Sequence, residues 1–264
     1  MIVDFHTHAF PDTLAPKAIS VLDSEAGGIY PPVSDGTVAG LTDNMDRFGI
    51  DVSVVLPVVT KQSQFVKINE WSAGICSGRI TGFGGIYPHT DDYKRDLDFV
   101  VSLGLKGIKF HAEYQDFFVD DERMIKIYDY ALGKGLILLH HAGFDPAYPA
   151  PFKSSPERFA RAERLLKGGT VVLAHLGGHA QWDGVEEYIA GSSYYLDTSM
   201  GFGYYSGEQF LRIVKKHGSD KILFASDAPW SDAGNELNCL RSLPLSQKDI
   251  DSISGGNAKR LLGI

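Results

Sequence analysis

Short apolar runs recur along the chain at about 1 to 8, 51 to 58, 80 to 88, 105 to 111, 136 to 141, 170 to 176, 193 to 198 and 221 to 227. Most are continuously apolar rather than alternating, the pattern of strands buried on both faces of a parallel sheet. Between them, Val38 to Phe48, Tyr93 to Ser102, Asp121 to Leu132, Pro156 to Leu166, Val185 to Ala190 and Glu208 to His217 carry apolar residues three and four apart, which predicts helices. Thr37, Asp120 and Ser155 stand where N-caps belong, and Gly49, Gly104, Gly135, Gly168 and Gly218 stand where helices end. A last helical stretch starts near Ser246, breaks at Gly255-Gly256 and restarts with Asn257 as the cap of 258 to 262. Eight strands alternating with helices predict an α/β fold, a closed (β/α)8 TIM barrel. The chain of 264 residues has the length such a barrel needs, about 250. No low-complexity tract or charged linker divides it, so one barrel domain over residues 1–264 is expected.

Three connections rich in Gly, Pro and aromatic residues, Ala9 to Gly36, Ala142 to Ser155 and Ser199 to Gly207, follow strands. That places them on the carboxyl face of a barrel, where active sites are assembled. The strand ends themselves carry His6 and His8, His140 and His141, His175 and Asp227. Polar groups of this kind make poor core packing, but they make chemical sense if the ends converge on one metal ion. His6 and His8 leave one face of a strand with Cα atoms about 6.6 Å apart, close enough for both imidazoles to reach one zinc at about 2.1 Å. His140 and His141 point to opposite faces, so only one of them can look into the barrel, and periodicity leaves the choice open. Asp4 reads as lying one layer below His6, with Lys109 on the fourth strand as its expected partner and a role in orienting a ligand His as the alternative.

Composition narrows the function classes. A formal charge of -8 without basic clusters argues against nucleic-acid binding. No run approaches the roughly 20 apolar residues of a membrane span. The chain enters its first strand at Ile2 without a secretory leader pattern, so a cytoplasmic location is expected. Cys76 and Cys239 are too few and too far apart for a disulfide framework or a cysteine metal site, and are expected to be buried free thiols. A homo-oligomer is compatible with the sequence.

Val3-Asp4-Phe5-His6-Thr7-His8, Gly104-Leu105-Lys106-Gly107-Ile108-Lys109-Phe110-His111, His141-Ala142-Gly143, Ala174-His175-Leu176-Gly177-Gly178, Ser226-Asp227-Ala228-Pro229-Trp230 and Asn257-Ala258-Lys259-Arg260-Leu261-Leu262 follow one another in order. Together they resemble the amidohydrolase superfamily, specifically its amidohydrolase-related branch, which also contains aminocarboxymuconate semialdehyde decarboxylase. The resemblance covers most of the chain. It implies a metal-dependent enzyme in which His6, His8, His141 and Asp227 hold one divalent ion, zinc being the expected metal, with His175 close to the reacting group. The small residue and Gly after the fifth-strand ligand match His141 rather than His140. Lys109 and Glu113 are the candidates for bridging a second ion, although one metal is the preferred reading. His111 and His89 are candidate substrate contacts.

The chemistry implied is hydrolysis of a C–N or C–O bond in a small polar substrate, with water activated on the ion, Asp227 taking its proton and His175 relaying one. The alternative is nonoxidative decarboxylation of a small carboxylated substrate on the same ligands. A noncatalytic binding protein and a nuclease are the remaining readings, the latter disfavoured by the acidic charge. Phe10, Tyr30, Phe144, Tyr148, Phe152, Phe202, Tyr204 and Trp230 are the aromatic residues available to a pocket, and Arg47, Arg158 and Arg161 the available anion contacts.

Overall fold

The computed structural model describes residues 1–264. Its strands are β1 (Val3–Thr7), β2 (Val52–Val55), β3 (Ile80–Gly82), β4 (Gly84–Gly85), β5 (Gly107–Phe110), β6 (Ile137–His140), β7 (Val171–Leu173), β8 (Tyr195–Asp197) and β9 (Ile222–Leu223). All neighbours pair in parallel, in the orders β1-β2-β3 and β4-β5-β6-β7-β8-β9. β3 and β4 are one barrel strand interrupted at Phe83, whose N–H still donates to the Val55 carbonyl at 2.9 Å. The ring closes between its first and last strands, where Phe5 N–H donates to Phe224 O (2.9 Å), Asp227 N–H to His6 O (2.8 Å) and His8 N–H to Ala228 O (2.6 Å). The expected (β/α)8 barrel is the fold.

Helices cover it: α1 (Ala15–Glu25), α2 (Val38–Phe48), α3 (Phe65–Gly74), α4 (Tyr93–Ser102), α5 (Glu122–Gly133), α6 (Pro156–Glu163), α7 (Trp182–Gly184), α8 (Gly207–His217), α9 (Ala233–Ser242), α10 (Gln247–Asp251) and α11 (Asn257–Leu262). The caps are local and chemical. Thr37 Oγ1 accepts the Gly40 N–H at 2.9 Å to start α2, and Gly49 ends it in the left-handed conformation at φ 69°, where a side chain is disfavoured. The cap of α5 is Asp121 rather than Asp120, whose carboxylate is taken by Arg158 and Arg161 at 2.7 Å each. Near the end of the chain the expected break at Gly255-Gly256 does not occur. A π turn, Ser252–Gly256, carries α10 into α11, and Asn257 is no cap: its Nδ2 donates to Ser219 O and Ile222 O, pinning the helix beneath β9. Cys76 is exposed and Cys239 half-buried, against the expectation of buried thiols.

Strands buried on both faces divide the apolar core between the barrel interior and the helix layer. Val3, Phe5, Val54, Phe83, Leu139, Val172, Leu223 and Ala225 belong to a cluster in which only Ala258 and Leu262 come from helices, so it fills the barrel interior. Ile108, Phe110, Leu138, Leu173, Leu196 and Phe224 face the other way, into a larger cluster shared with the helices. Burial of this kind stabilises by roughly 25 cal/mol per Å² of apolar surface. No helix is long and apolar enough to cross a membrane.

Candidate active site

The alternation of β6 assigns its two histidines. His140 points outward, stacked on Phe110 at 5.0 Å between ring centroids and packed edge-on to Tyr128 and Phe159. Burial pushes its imidazole down to about 3. His141 points inward and lines a cavity of ≈ 430 Å³ at the carboxyl ends of the strands, as do His6, His8, His175 and Asp227. The sequence-identified residues therefore share one chamber.

β1 changes register between Asp4 and Thr7, which lets His6 and His8 face inward although Val3 and Phe5 also belong to the interior cluster. This shift overturns the expected Asp4–Lys109 pair. Asp4 turns to the seam of the barrel, accepting Ser226 N–H at 2.9 Å and Ser226 Oγ–H at 2.5 Å, with burial pushing its carboxyl up to about 7. Lys109 instead donates to His6 Nε2 at 3.0 Å. Burial lowers its ammonium to about 8, against the opposing pull of Asp227 and Asp197.

The tautomers follow from the partners on the far side of each ring. His8 Nδ1 donates to the Leu56 carbonyl at 2.8 Å, and His6 Nδ1 donates to Asp197 Oδ2 at 2.9 Å, so both Nε2 atoms carry lone pairs. Those atoms lie 3.1 Å apart. Asp227 Oδ1 lies 3.1 Å from His8 Nε2 and 3.4 Å from His6 Nε2 and has no hydrogen-bond partner. Burial holds the His6 imidazole well below its ordinary range, and although burial also raises Asp227, its His6 and His8 neighbours hold its carboxyl well below the usual carboxylate range. Three electron-pair donors thus converge with one ammonium to offset them. The arrangement fits a divalent cation.

His141 stands on the adjacent wall. His175 Nδ1 donates to the Ser199 carbonyl at 3.1 Å, so its Nε2 must accept from His141 Nδ1 at 3.1 Å. His141 Nε2 is left with a lone pair, buried and without a partner. His141 also stacks on His111 at 4.1 Å and forms a second donor group with His111 and Asp145, whereas His6, His8 and Asp227 form the first. His111 Nε2 lies 3.3 Å from Asp145 Oδ2 and its Nδ1 faces the Tyr114 N–H at 3.5 Å, so both of its nitrogens have protein partners.

Backbone conformation sets this wall. Asp227 (φ 70°), His175 (φ 56°) and Leu176 (φ 53°) all adopt left-handed conformations that non-glycine residues avoid. Gly143, at φ 91°, lets the loop after β6 pair with His179, where a Cβ would lie 2.3 Å from the His179 nitrogen. Trp182 Nε1 donates to His175 O at 3.0 Å. His179 lines the cavity and bonds Tyr30 Oη at 2.8 Å.

Asp197 is the residue behind this site that the sequence reading does not single out. Its Oδ2 accepts from His6, and its Oδ1 accepts from His175 N (3.0 Å), Ser199 N (3.0 Å) and Ser199 Oγ (2.5 Å). The available signal was an acidic residue closing the apolar run before it. In Asp197→Asn, the amide NH2 meets an N–H donor whichever way it turns. The three donors on the Oδ1 side direct it toward His6, whose ring must then move its proton to Nε2. The expected result is a fall in metal affinity of about 10- to 100-fold, measured by competition with a chelator. An unchanged affinity would show that Asp197 does not set the tautomer.

Other expectations sort by position. Glu113 accepts from Lys153 N (2.9 Å) and Ser154 Oγ (3.0 Å) and does not line the cavity, which removes it as a bridging candidate. His89 Nε2 is engaged by the carbonyls of Gln115 and Asp116. Arg158 and Arg161 are paired with Asp120, and Arg47 covers the Phe48 ring. Of the aromatic candidates, Phe10, Tyr30, Phe144 and Trp230 line the cavity, whereas Tyr148, Phe152, Phe202 and Tyr204 do not.

Comparison with known proteins adds three findings. A family model described as Amidohydrolase matches residues 3–264. No curated protein sequence matches the chain. Among solved structures, an uncharacterized TIM-barrel protein from Bordetella bronchiseptica superposes with TM-score 0.78 at 18% identity, covering 99% of this chain and 98% of that one. A dihydroxybenzoic acid decarboxylase from Polaromonas sp. JS666, with bound manganese and the inhibitor 2-nitroresorcinol, gives TM-score 0.69 at 16% identity, covering 99% and 96%. A probable 2-pyrone-4,6-dicarboxylic acid hydrolase from Acinetobacter baumannii, with citric acid bound, gives 0.68 at 14%, covering 100% and 99%. 5-Carboxyvanillate and 2,6-dihydroxybenzoate decarboxylases are also among the similar structures.

Proposed function

Since the chain belongs to the amidohydrolase family of metal-dependent enzymes, we propose that it is a nonoxidative decarboxylase of a small carboxylated, ring-bearing substrate, working as one barrel domain. The observation that carries this reading is the convergence of electron-pair donors in one buried chamber, His6 Nε2 and His8 Nε2 3.1 Å apart beside Asp227 Oδ1, with Asp227 Oδ1 and His141 Nε2 buried and without a partner. His6, His8, His141 and Asp227 would hold the ion. When bound, it supplies Lewis acidity toward a carboxylate or carbonyl oxygen. Three imidazoles suit zinc, and a carboxylate is a ligand that zinc and manganese both accept. The manganese of the Polaromonas structure is a reason to assay both.

This chain's own residues then handle the proton. Decarboxylation requires a proton to add to the carbon bearing the carboxylate. The C–C bond breaks with its electrons returning to the ring, carbon dioxide leaves, and the acid becomes its parent ring compound. Asp227 and His175 face the cavity as the groups that would hold and pass that proton, Asp227 at Oδ2, the oxygen not given to the ion, and His175 at Nε2 once it exchanges its bond from His141 for one to the substrate. Lys109, beside His6 and within the lining, is a cation available to a bound anion. Phe10, Tyr30, Phe144 and Trp230 exclude water around a ring. The names of the structural neighbours favour decarboxylation over the hydrolysis first expected from the sequence. Hydrolysis is kept as the second reading because the same groups would serve it and one neighbour is a probable hydrolase.

The test is a panel of hydroxylated aromatic acids, lactones and amides assayed with zinc- and manganese-loaded protein for released carbon dioxide and for newly formed acid. Carbon dioxide without new acid is the expected result. New acid without carbon dioxide would replace the proposal with hydrolysis, and retained metal with neither product would favour a binding protein.

A further inference from the structure

The proposed chemistry occupies the polar floor of the cavity, yet half of the lining residues are hydrophobic. Leu14, Ala18, Leu22 and Ala26 all belong to that lining, four residues apart along and just beyond α1. Such spacing puts them on one helix face. α1 makes no extensive contact with any other helix or strand, and Ala15 is its only buried residue. In a globular protein a stripe of this kind normally packs on the core; here the cavity takes the place of the core. Ile68 and Trp71 of α3 belong to the same lining. The lining has no arginine, and Lys67 is its only lysine besides Lys109.

We propose that α1 and α3 form an apolar slot that selects substrates by an apolar arm attached to the reacting acid, with Leu22 and Trp71 as its specificity-determining residues. The inference rests on reading the floor as a carboxylate-binding centre. At ≈ 430 Å³ the chamber lies within the range of small-molecule pockets, about 300–1,000 Å³, and a carboxylate on the floor leaves most of it to be filled. Each methylene moved from water into such a slot strengthens binding about fourfold.

Straight-chain carboxylates from acetate to octanoate, and the alcohols of equal length, test the slot by calorimetric titration of metal-loaded protein. The expected result is a Kd that falls about fourfold per methylene in both series. In Leu22→Ser combined with Trp71→Ala, each step should shrink to less than twofold at unchanged metal loading. Affinities that ignore chain length, or steps that survive the double variant, would overturn the slot. Failure of the underlying reading looks different: carboxylates would bind no better than equal-length alcohols while the steps per methylene persist, leaving the slot intact.

Discussion

Protein carrying His141→Ala is expected to be folded and to hold no stoichiometric metal after purification and dialysis. His141 is the informative member of the set because it stands with His175 and His111, while His6, His8 and Asp227 already crowd together without it. Its Nε2 is buried and without a partner, and its imidazole is held well below its ordinary range by burial and by the neighbouring His111. A neutral ring with an unused lone pair is a suitable donor, and removing it would take away one of the four proposed ligands. Orienting partners of ligands typically contribute 10- to 100-fold in affinity, so the loss of a ligand itself should exceed about 100-fold. Folding should survive, because the ring lies at the cavity wall and the interior cluster does not include it. His6→Ala and Asp227→Asn are expected to behave alike. Metal analysis gives one readout and thermal melting gives another. A ligand present at 1,000 times its Kd stabilises the folded state by about 4 kcal/mol. Added zinc or manganese should therefore raise the Tm of the native protein far more than that of the variant. Stoichiometric metal in His141→Ala would remove it from the ligand set.

Most of this architecture was legible because barrel strands are apolar on both faces and end in chemistry. The runs ending on His6, His141, His175 and Asp227 were all strands, and all four residues face one chamber. What periodicity could not supply was orientation. Choosing between His140 and His141 took the packing of His140 against Phe110, Tyr128 and Phe159, a tertiary fact. Extrapolating strict alternation through β1 failed because the strand changes register between Asp4 and Thr7, so Asp4 meets Ser226 and Asp197 takes over the orientation of His6. The segment 9–36 read as a loop because Gly27, Gly28, Pro31 and Pro32 dominate its composition. Its period-four row of Leu14, Ala18, Leu22 and Ala26 was the overlooked helical signal. The extent of α3, which ends just before Cys76, was not legible for a related reason, since its apolar positions partly face the cavity and only Phe65 among them is buried. Residues that face a ligand obey the ligand's geometry, and that geometry is not written in the periodicity of the helix.

His175→Asn is expected to bind the ion at saturating metal and to turn over about 100- to 10,000-fold more slowly, the usual range for removing a general acid or base. In the proposed mechanism the side chain has two separable jobs. As the acceptor for His141 Nδ1–H it fixes the tautomer that leaves His141 Nε2 bare. As a cavity-lining imidazole, lowered to about 4 chiefly by burial, it would receive a proton at Nε2 in exchange for the His141 bond and pass it on. Orientation alone would weaken metal binding by about 10- to 100-fold, a loss that excess metal restores. Proton transfer would not be restored, because no amount of metal supplies the missing base. The decisive measurement is therefore kcat as a function of metal concentration, followed to its plateau. A plateau far below that of the native protein assigns His175 to the chemistry, whereas a plateau equal to it would reduce His175 to a positioning residue for His141. The held backbone makes the comparison clean. Asp197 and Ser199 continue to engage the His175 N–H, and Trp182 continues to donate to its carbonyl, so the exchange changes the side chain and leaves the left-handed turn beneath it in place.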